Sequence, residues 1–275
     1  MKRSPVRLAL FTASVLVGAC ADHKKPAAPQ APAPAATSQP PLPPVAQAPT
    51  PAPPPTAPRR PGTPTLGDGI QWFRTSAEYR ALTMSTYRAA TEAVTAAAKG
   101  KARDSWAVVL DADETVLDNS AFQRDLAKDT APFTEELWAT FVHQRSSVPI
   151  PGAKDFLDRV KELGGRIAIV TNRFDVLCDD TRENFRMEKL PFDVILCRVG
   201  GSDKDPRLES AATGLGFGDN KAREVVAFVG DNIQDFPTLK QSLRDAPDSA
   251  FDAFGKKYFI LPNPMYGSWQ QNKPR

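Results

Sequence analysis

Past residue 69 the chain carries two hydrophobic rhythms in alternation. Five short runs, 107–110, 166–170, 194–197, 225–229 and 258–261, are almost continuously apolar and rich in β-branched residues. Such runs predict strands buried on both faces, since a strand with one wet face would alternate apolar and polar positions. Between them lie stretches with helical spacing: 153–163, stopped by Gly164-Gly165, and 175–189, stopped before Pro191. Upstream, Thr75 and Glu78 have the spacing of a capping box. The stretch after them sets Tyr79, Leu82, Tyr87, Ala90 and Val94 on one face and closes at Gly100. Strands alternating with helices predict an α/β fold, a Rossmann-like parallel sheet covered by helices. No internal repeat is evident.

The N-terminal part has a different pattern. Lys2, Arg3 and Arg7 precede the apolar run 8–17 and the small-residue ending Val17-Gly18-Ala19-Cys20. That zoning predicts an export signal over 1–20, and the run is shorter than the roughly 20 residues a membrane-spanning helix needs. Cys20 sits as the cysteine of a bacterial lipobox does, which predicts lipidation there; the alternative is an ordinary signal with a stray cysteine. Ala21 does not match the aspartate signal for inner-membrane retention, so an outer-membrane lipoprotein of the cell envelope is expected. Residues 21–66 hold 16 of the 27 prolines. Prolines at that density lack N–H donors and fix φ, so the segment predicts a disordered, semi-extended tether with a reach on the order of 100 Å. The remaining 209 residues, 67–275, suffice for one catalytic domain with a small helical appendage built from the N-terminal helix, the 120–150 stretch and the C-terminal segment.

Charge and histidine then narrow the chemistry. The whole chain is formally +3, but 67–275 holds 28 Lys/Arg against 31 Asp/Glu. The basic excess belongs to the signal and tether, and nucleic-acid binding by a general cationic surface loses its support. Only His23 and His143 exist, and His23 lies in the tether. Histidine-based triads and multi-histidine zinc sites therefore have too little imidazole to draw on. Catalysis must rest on carboxylates, hydroxyls and lysine. Cys178 and Cys197 suit either a disulfide in an oxidising compartment or two buried thiols.

The polar residues just past the apolar runs are the informative feature. The first run ends in Asp111-Ala112-Asp113-Glu114-Thr115, the second in Thr171-Asn172-Arg173, the fourth in Gly230-Asp231-Asn232-Ile233-Gln234-Asp235. Ligands of open α/β sheets bind outside the carboxyl ends of the strands, so these polar groups are expected to converge. Asp111, Asp113 and Asp231 in one crevice repel each other unless a cation neutralises them. A hard divalent ion with oxygen ligands fits, and Mg²⁺ is the natural choice. Lys204, in the loop 202–207, would add positive charge from another side. Carboxylates, Mg²⁺, a lysine and a hydroxyl donor together point to phosphoryl transfer. Each element alone is a common turn or cap; their joint order at successive strand ends carries the reading.

These residues resemble the haloacid dehalogenase superfamily, with Asp111–Thr115 as its D-x-D-x-T motif, Thr171 and Lys204 as its second and third motifs, and Asp231–Asp235 as its acidic fourth. Residues 109–120, 76–82, 230–232 and 261–269 are more specifically similar to class C acid phosphatases of the outer-membrane lipoprotein e type, 5′-nucleotidases, over roughly 72–269. Ala112 stands where that family often has leucine, and the Pro/Ala tether is unusually long; neither removes a catalytic group. The resemblance implies a haloacid dehalogenase fold with a small helical cap-like subdomain and an Mg²⁺-dependent acid phosphatase acting on phosphate monoesters, in particular nucleoside 5′-monophosphates. It implies Asp111 as nucleophile and metal ligand, Asp113 as acid/base with its backbone carbonyl on the metal, and Thr171 and Lys204 on the phosphoryl oxygens. Asp231 would complete the metal site, with Asp235 acting through water or behind it. Asn172 is a further substrate contact, and Trp138 and Tyr266 are expected to sandwich a nucleobase. The rival reading is a non-catalytic surface lipoprotein that keeps this fold for binding or adhesion.

Overall fold

A computed structural model of the chain describes residues 66–274. The export signal, Cys20 and all of the tether but its last residue lie outside the described residues.

All five apolar runs are strands of one parallel sheet. In chain order the elements are α1 (Asp68–Thr75), α2 (Ala77–Ala97), β1 (Trp106–Leu110), β2 (Leu117–Asp118), α3 (Ser120–Asp129), α4 (Glu135–His143), β3 (Val148–Pro149), α5 (Ala153–Glu162), β4 (Arg166–Phe174), α6 (Cys178–Met187), β5 (Val194–Arg198), α7 (Asp205–Thr213), β6 (Glu224–Gly230) and β7 (Tyr258–Ile260), with short 3-10 turns between. The sheet order is β5-β4-β1-β6-β7, and β2 pairs with β3 as a separate antiparallel ribbon. The chain builds outward from β1 through β4 to β5, then returns to add β6 and β7 on the opposite side. That reversal places a topological switch point at the carboxyl end of β1.

Successive strand residues point to opposite faces, and the core divides accordingly. Val108, Leu110, Ile167 and Ile169 face a layer containing α2, α5 and α6, while Val109, Ala168 and Val170 face Leu208 and Ala211 of α7 and Phe236. A third, smaller cluster of Phe122, Phe141, Val142 and Leu177 joins α3 and α4 beside the sheet. This is the helical appendage, and α1 packs on it through α3. The long helix α2 does not join it. Its buried side chains belong to the main layer, because its stripe is Tyr79, Thr83, Tyr87, Ala90 and Val94. Leu82, expected on that stripe, is exposed; a hydroxyl-bearing residue, Thr83, occupies the inward position one step on and bonds the Arg80 carbonyl.

The start of α2 also differs from the capping box expected at Thr75. Thr75 ends α1, and Ser76 is the cap, its Oγ accepting a hydrogen bond from the Tyr79 N–H at 3.0 Å. Cys178, the first residue of α6, is bonded to Cys197 in β5. The disulfide therefore ties a covering helix to the edge of the sheet.

Candidate active site

Loops after β1, β4 and β6 and the N-terminus of α7 meet at the switch point. The Asp111 N–H bonds the Val229 carbonyl of β6, so the first acid is fixed by the sheet ladder itself. Beyond it the chain turns back: the Val116 and Leu117 N–H groups both reach the Ala112 carbonyl, and Glu114 adopts a left-handed φ of 54°. From the covering layer, the buried Tyr87 hydroxyl donates to the Thr115 carbonyl at 2.7 Å. The loop is thus held from both the sheet and α2.

Asp111, Asp231 and Asp235 each present a carboxylate oxygen within 4.8 Å of the others. Lys204 Nζ lies 2.7 Å from Asp111 Oδ1 and 2.7 Å from Asp235 Oδ1. Asp235 Oδ2 accepts from the Asn232 N–H, closing a capping box. Gly230 permits this, since a Cβ there would collide with the Asp235 side chain. Asp231 accepts from Asn263 Nδ2 at 2.8 Å and Thr115 Oγ1 at 3.1 Å. Burial, only partly offset by Lys204, pushes the Asp111 carboxyl well up. Burial and then the Asp235 charge push Asp231 up to about 7. Burial works against the Lys204 ammonium, but Asp111 and Asp235 outweigh it and hold its pKa above the ordinary lysine value. One cation among three carboxylates leaves the cluster short of positive charge.

The Asp113 side chain stands apart from this cluster. Its Oδ1 accepts from Asn119 Nδ2 at 2.8 Å and from Arg173 Nε at 2.9 Å, and Arg173 Nη2 lies 2.8 Å from the same oxygen as an ion pair. Its Oδ2 has one long contact, 3.4 Å from Thr171 Oγ1. Thr171 is wholly buried behind Asp113, and its Oγ1 also accepts the Arg173 N–H. Arg207 braces the same strand end, donating to the Thr171 carbonyl, Asn172 Oδ1 and the Asp203 carbonyl.

A cleft of about 270 Å³ opens over these groups, lined by Asp111, Asp113, Asn172, Lys204, Asp231 and Asp235 on the sheet side. Trp138 of α4 and Tyr266 of the C-terminal segment both line it, as do Arg173, Arg198, Phe133 and Glu135. Trp138 stacks on Phe141 at 5.6 Å and meets Phe122 edge-on at 5.2 Å, so the appendage core holds its ring. The cleft thus has an acidic floor with a lysine and an aromatic, partly cationic wall.

Residues 61–269 match the family described as HAD superfamily, subfamily IIIB (Acid phosphatase). This chain is a member of that family. Two solved structures of the class C acid phosphatase from Bacillus anthracis are similar to it, each with 30% sequence identity over 74% of this chain and 85% of the other. Their TM-scores are 0.65 for the form with tungstate bound and 0.64 for the other. The protein is accordingly an acid phosphatase, a hydrolase of phosphate monoesters, on the parallel-sheet fold of the superfamily.

In this acid phosphatase the all-oxygen donor set of Asp111, Asp231 and Asp235 fits a hard divalent cation, and the shortage of positive charge among them is a reason to take one. Of the residues expected from sequence, Asp111, Asp113, Lys204, Asp231, Asp235, Asn172, Trp138 and Tyr266 all reach the cleft, while Thr171 lies one layer behind it. Sequence reasoning missed Arg173, Asn119, Asn263 and Glu114. Arg173 comes two positions after Thr171 on a strand, and that period was the available signal. Glu114 is buried, one oxygen accepting from the Asn119 N–H, and burial together with the Asp113 and Asp231 charges pushes its carboxyl well up.

Proposed function

We propose that this acid phosphatase hydrolyses nucleoside 5′-monophosphates through an aspartyl-phosphate on Asp111, with Mg²⁺ as cofactor. The observation that carries the reading is the cluster of Asp111, Asp231 and Asp235 around Lys204, set beside a separately held Asp113. Asp111, Asp231, the Asp113 carbonyl and, directly or through water, Asp235 would hold the ion. When bound, it supplies charge neutralisation for the phosphoryl oxygens.

A carboxylate oxygen of Asp111 forms a bond to phosphorus as the ester P–O bond breaks; the departing oxygen keeps the electron pair and takes the proton of Asp113. Asp113 then removes a proton from water, the hydroxide attacks phosphorus, and the P–O bond to Asp111 breaks. Phosphate leaves and the Asp111 carboxylate is restored. Lys204 stabilises charge on the transferring group, and Asn172 contacts its oxygens with Thr171 supporting from behind. Trp138 and Tyr266 stack the base of the leaving nucleoside, a contact worth ~1–3 kcal/mol that is tolerant of base identity.

Cys20 anchors the enzyme through lipid in the outer membrane, and the tether of 21–66 spaces domain 67–275 from it. A water-soluble, non-lipidated mature protein after detergent-free extraction would overturn the anchor. Phosphate release from a nucleoside 5′-monophosphate by the full chain, with Mg²⁺ and with EDTA, tests the chemistry. Undiminished activity in EDTA refutes the metal, and an active, metal-dependent Asp113→Asn variant refutes the acid/base.

A further inference from the structure

We propose that Arg173 is a positioning residue that fixes which oxygen of Asp113 carries the catalytic proton. The inference rests on the reading of Asp113 as the leaving-group acid. Arg173 is 2% exposed, the most enclosed arginine among the described residues. Its Nε donates to Asp113 Oδ1 at 2.9 Å, its Nη2 lies 2.8 Å from the same oxygen as an ion pair, and Asn119 Nδ2 donates to that atom at 2.8 Å. A carboxyl oxygen that accepts two N–H hydrogen bonds and has a further guanidinium nitrogen 2.8 Å away has no room for a proton of its own. The proton must sit on Oδ2, whose one partner is the Thr171 hydroxyl at 3.4 Å.

The guanidinium is itself held on every side. Nη2 donates to Asn119 Oδ1 at 3.1 Å, Nη1 donates to Thr181 Oγ1 at 3.2 Å on α6, and its face lies 5.3 Å from the Trp138 ring. Asn119 is in turn fixed by the Ser147 hydroxyl, which donates to the same Oδ1 at 2.6 Å. Arg173 therefore joins the acid, the appendage and α6 in one rigid arrangement at the cleft that Asp113 lines. Without the fork, the carboxyl rotates about its last bond and its two oxygens exchange. The acid remains present but is no longer aimed.

The experiment separates aiming from folding by the need for the proton. An alkyl phosphate such as glycerol phosphate leaves as a basic alkoxide and needs the acid, whereas p-nitrophenyl phosphate leaves as a stabilised phenolate and does not. kcat/KM reports the first bond exchange, before water enters. Arg173→Ala is expected to lose on the order of 10²-fold in kcat/KM on the alkyl ester and less than about tenfold on the aryl ester, matching the scale of general-acid assistance. Arg173→Lys, with charge but no fork, is expected to show the same asymmetry at smaller size. Equal losses on both substrates in a variant that keeps its cooperative unfolding transition overturn the proposal; if Arg173→Ala does not fold, the comparison is read on Arg173→Lys. Asp113→Asn on the same pair distinguishes the two levels. If it discriminates the esters and the Arg173 variants do not, the positioning role alone fails; if it does not discriminate them either, the acid assignment fails and takes the positioning role with it.

Discussion

Asp231→Asn in the metal-free protein tests the view that the acidic floor is short of positive charge. The Asp231 carboxyl is pushed from the ordinary aspartate range up to about 7, first by burial and then by Asp235. A carboxyl whose folded pKa is raised stabilises the fold relative to its ionised form below the unfolded value, and that stability is lost as pH rises through the folded value. Between about pH 5 and pH 7 the native state binds a proton that the unfolded chain does not, so metal-free wild type weakens by ~1.4 kcal/mol per pH unit across that window. The full window would be worth about 3 kcal/mol; Asp231 keeps some contact with water, so about 2 kcal/mol is expected. Asparagine does not titrate, and it keeps both local bonds: its carbonyl accepts from Asn263 while its amide donates to the Thr115 hydroxyl, which can serve either way. Urea unfolding in EDTA at about pH 5 and pH 8 should show the stability difference between the proteins moving by about 2 kcal/mol in favour of Asp231→Asn at the higher pH. Saturating Mg²⁺ should stabilise wild type, by ~2.7 kcal/mol at a hundredfold excess over Kd, and the variant much less. A pH-independent difference, or a shift favouring wild type at high pH, would refute the electrostatic argument.

The same geometry sets the outcome of other substitutions. Lys204→Met removes the cation shared by Asp111 and Asp235 and should cost about 3–5 kcal/mol in metal-free urea melts at neutral pH, with phosphatase activity lost even when Mg²⁺ restores the fold. Cys178→Ser opens a link between residues 19 apart and should cost about 3 kcal/mol, read as a lower denaturant midpoint that reductant lowers no further. Trp138→Ala should reduce kcat/KM for a nucleoside 5′-monophosphate by about 10- to 100-fold and leave p-nitrophenyl phosphate nearly unchanged; equal losses would remove the base-stacking role. Ser76→Ala should cost ~1 kcal/mol in thermal unfolding and Thr75→Ala much less, because Ser76 makes the cap of α2.

Much of the fold was legible because burial writes a local signal: β1 is buried on both faces, and the edge strands β5 and β7, expected to be the same, bury only one face fully yet stay apolar enough to read. The runs around Val108, Ile169, Leu196, Phe228 and Phe259 needed no tertiary information to be read as strands, and the acids at their carboxyl ends needed only the rule that such ends share a crevice. The short local contests were less legible. Thr75 and Ser76 are equally good caps in isolation, and the turn of the chain after α1 decides between them. Leu82 fits a helical stripe as well as Thr83 does, and the angle at which α2 lies on α5, β6 and β7 selects the second.

The sequence alone therefore determined the parallel sheet, the identities and order of Asp111, Asp113, Lys204 and Asp231, and the exclusion of histidine chemistry, since each depends on composition or on periodicity within a few residues. Tertiary structure decided that Cys178 and Cys197 are bonded, that Lys204 reaches two acids at once, and that Asp113 is drawn out of the acidic cluster by Arg173 and Asn119. Asn119 is 6 positions from Asp113 along the chain and Arg173 is 60, yet both donate to the same oxygen. A side chain's local sequence specifies what it can donate or accept, whereas its partner is whichever group the packed elements bring within about 3 Å.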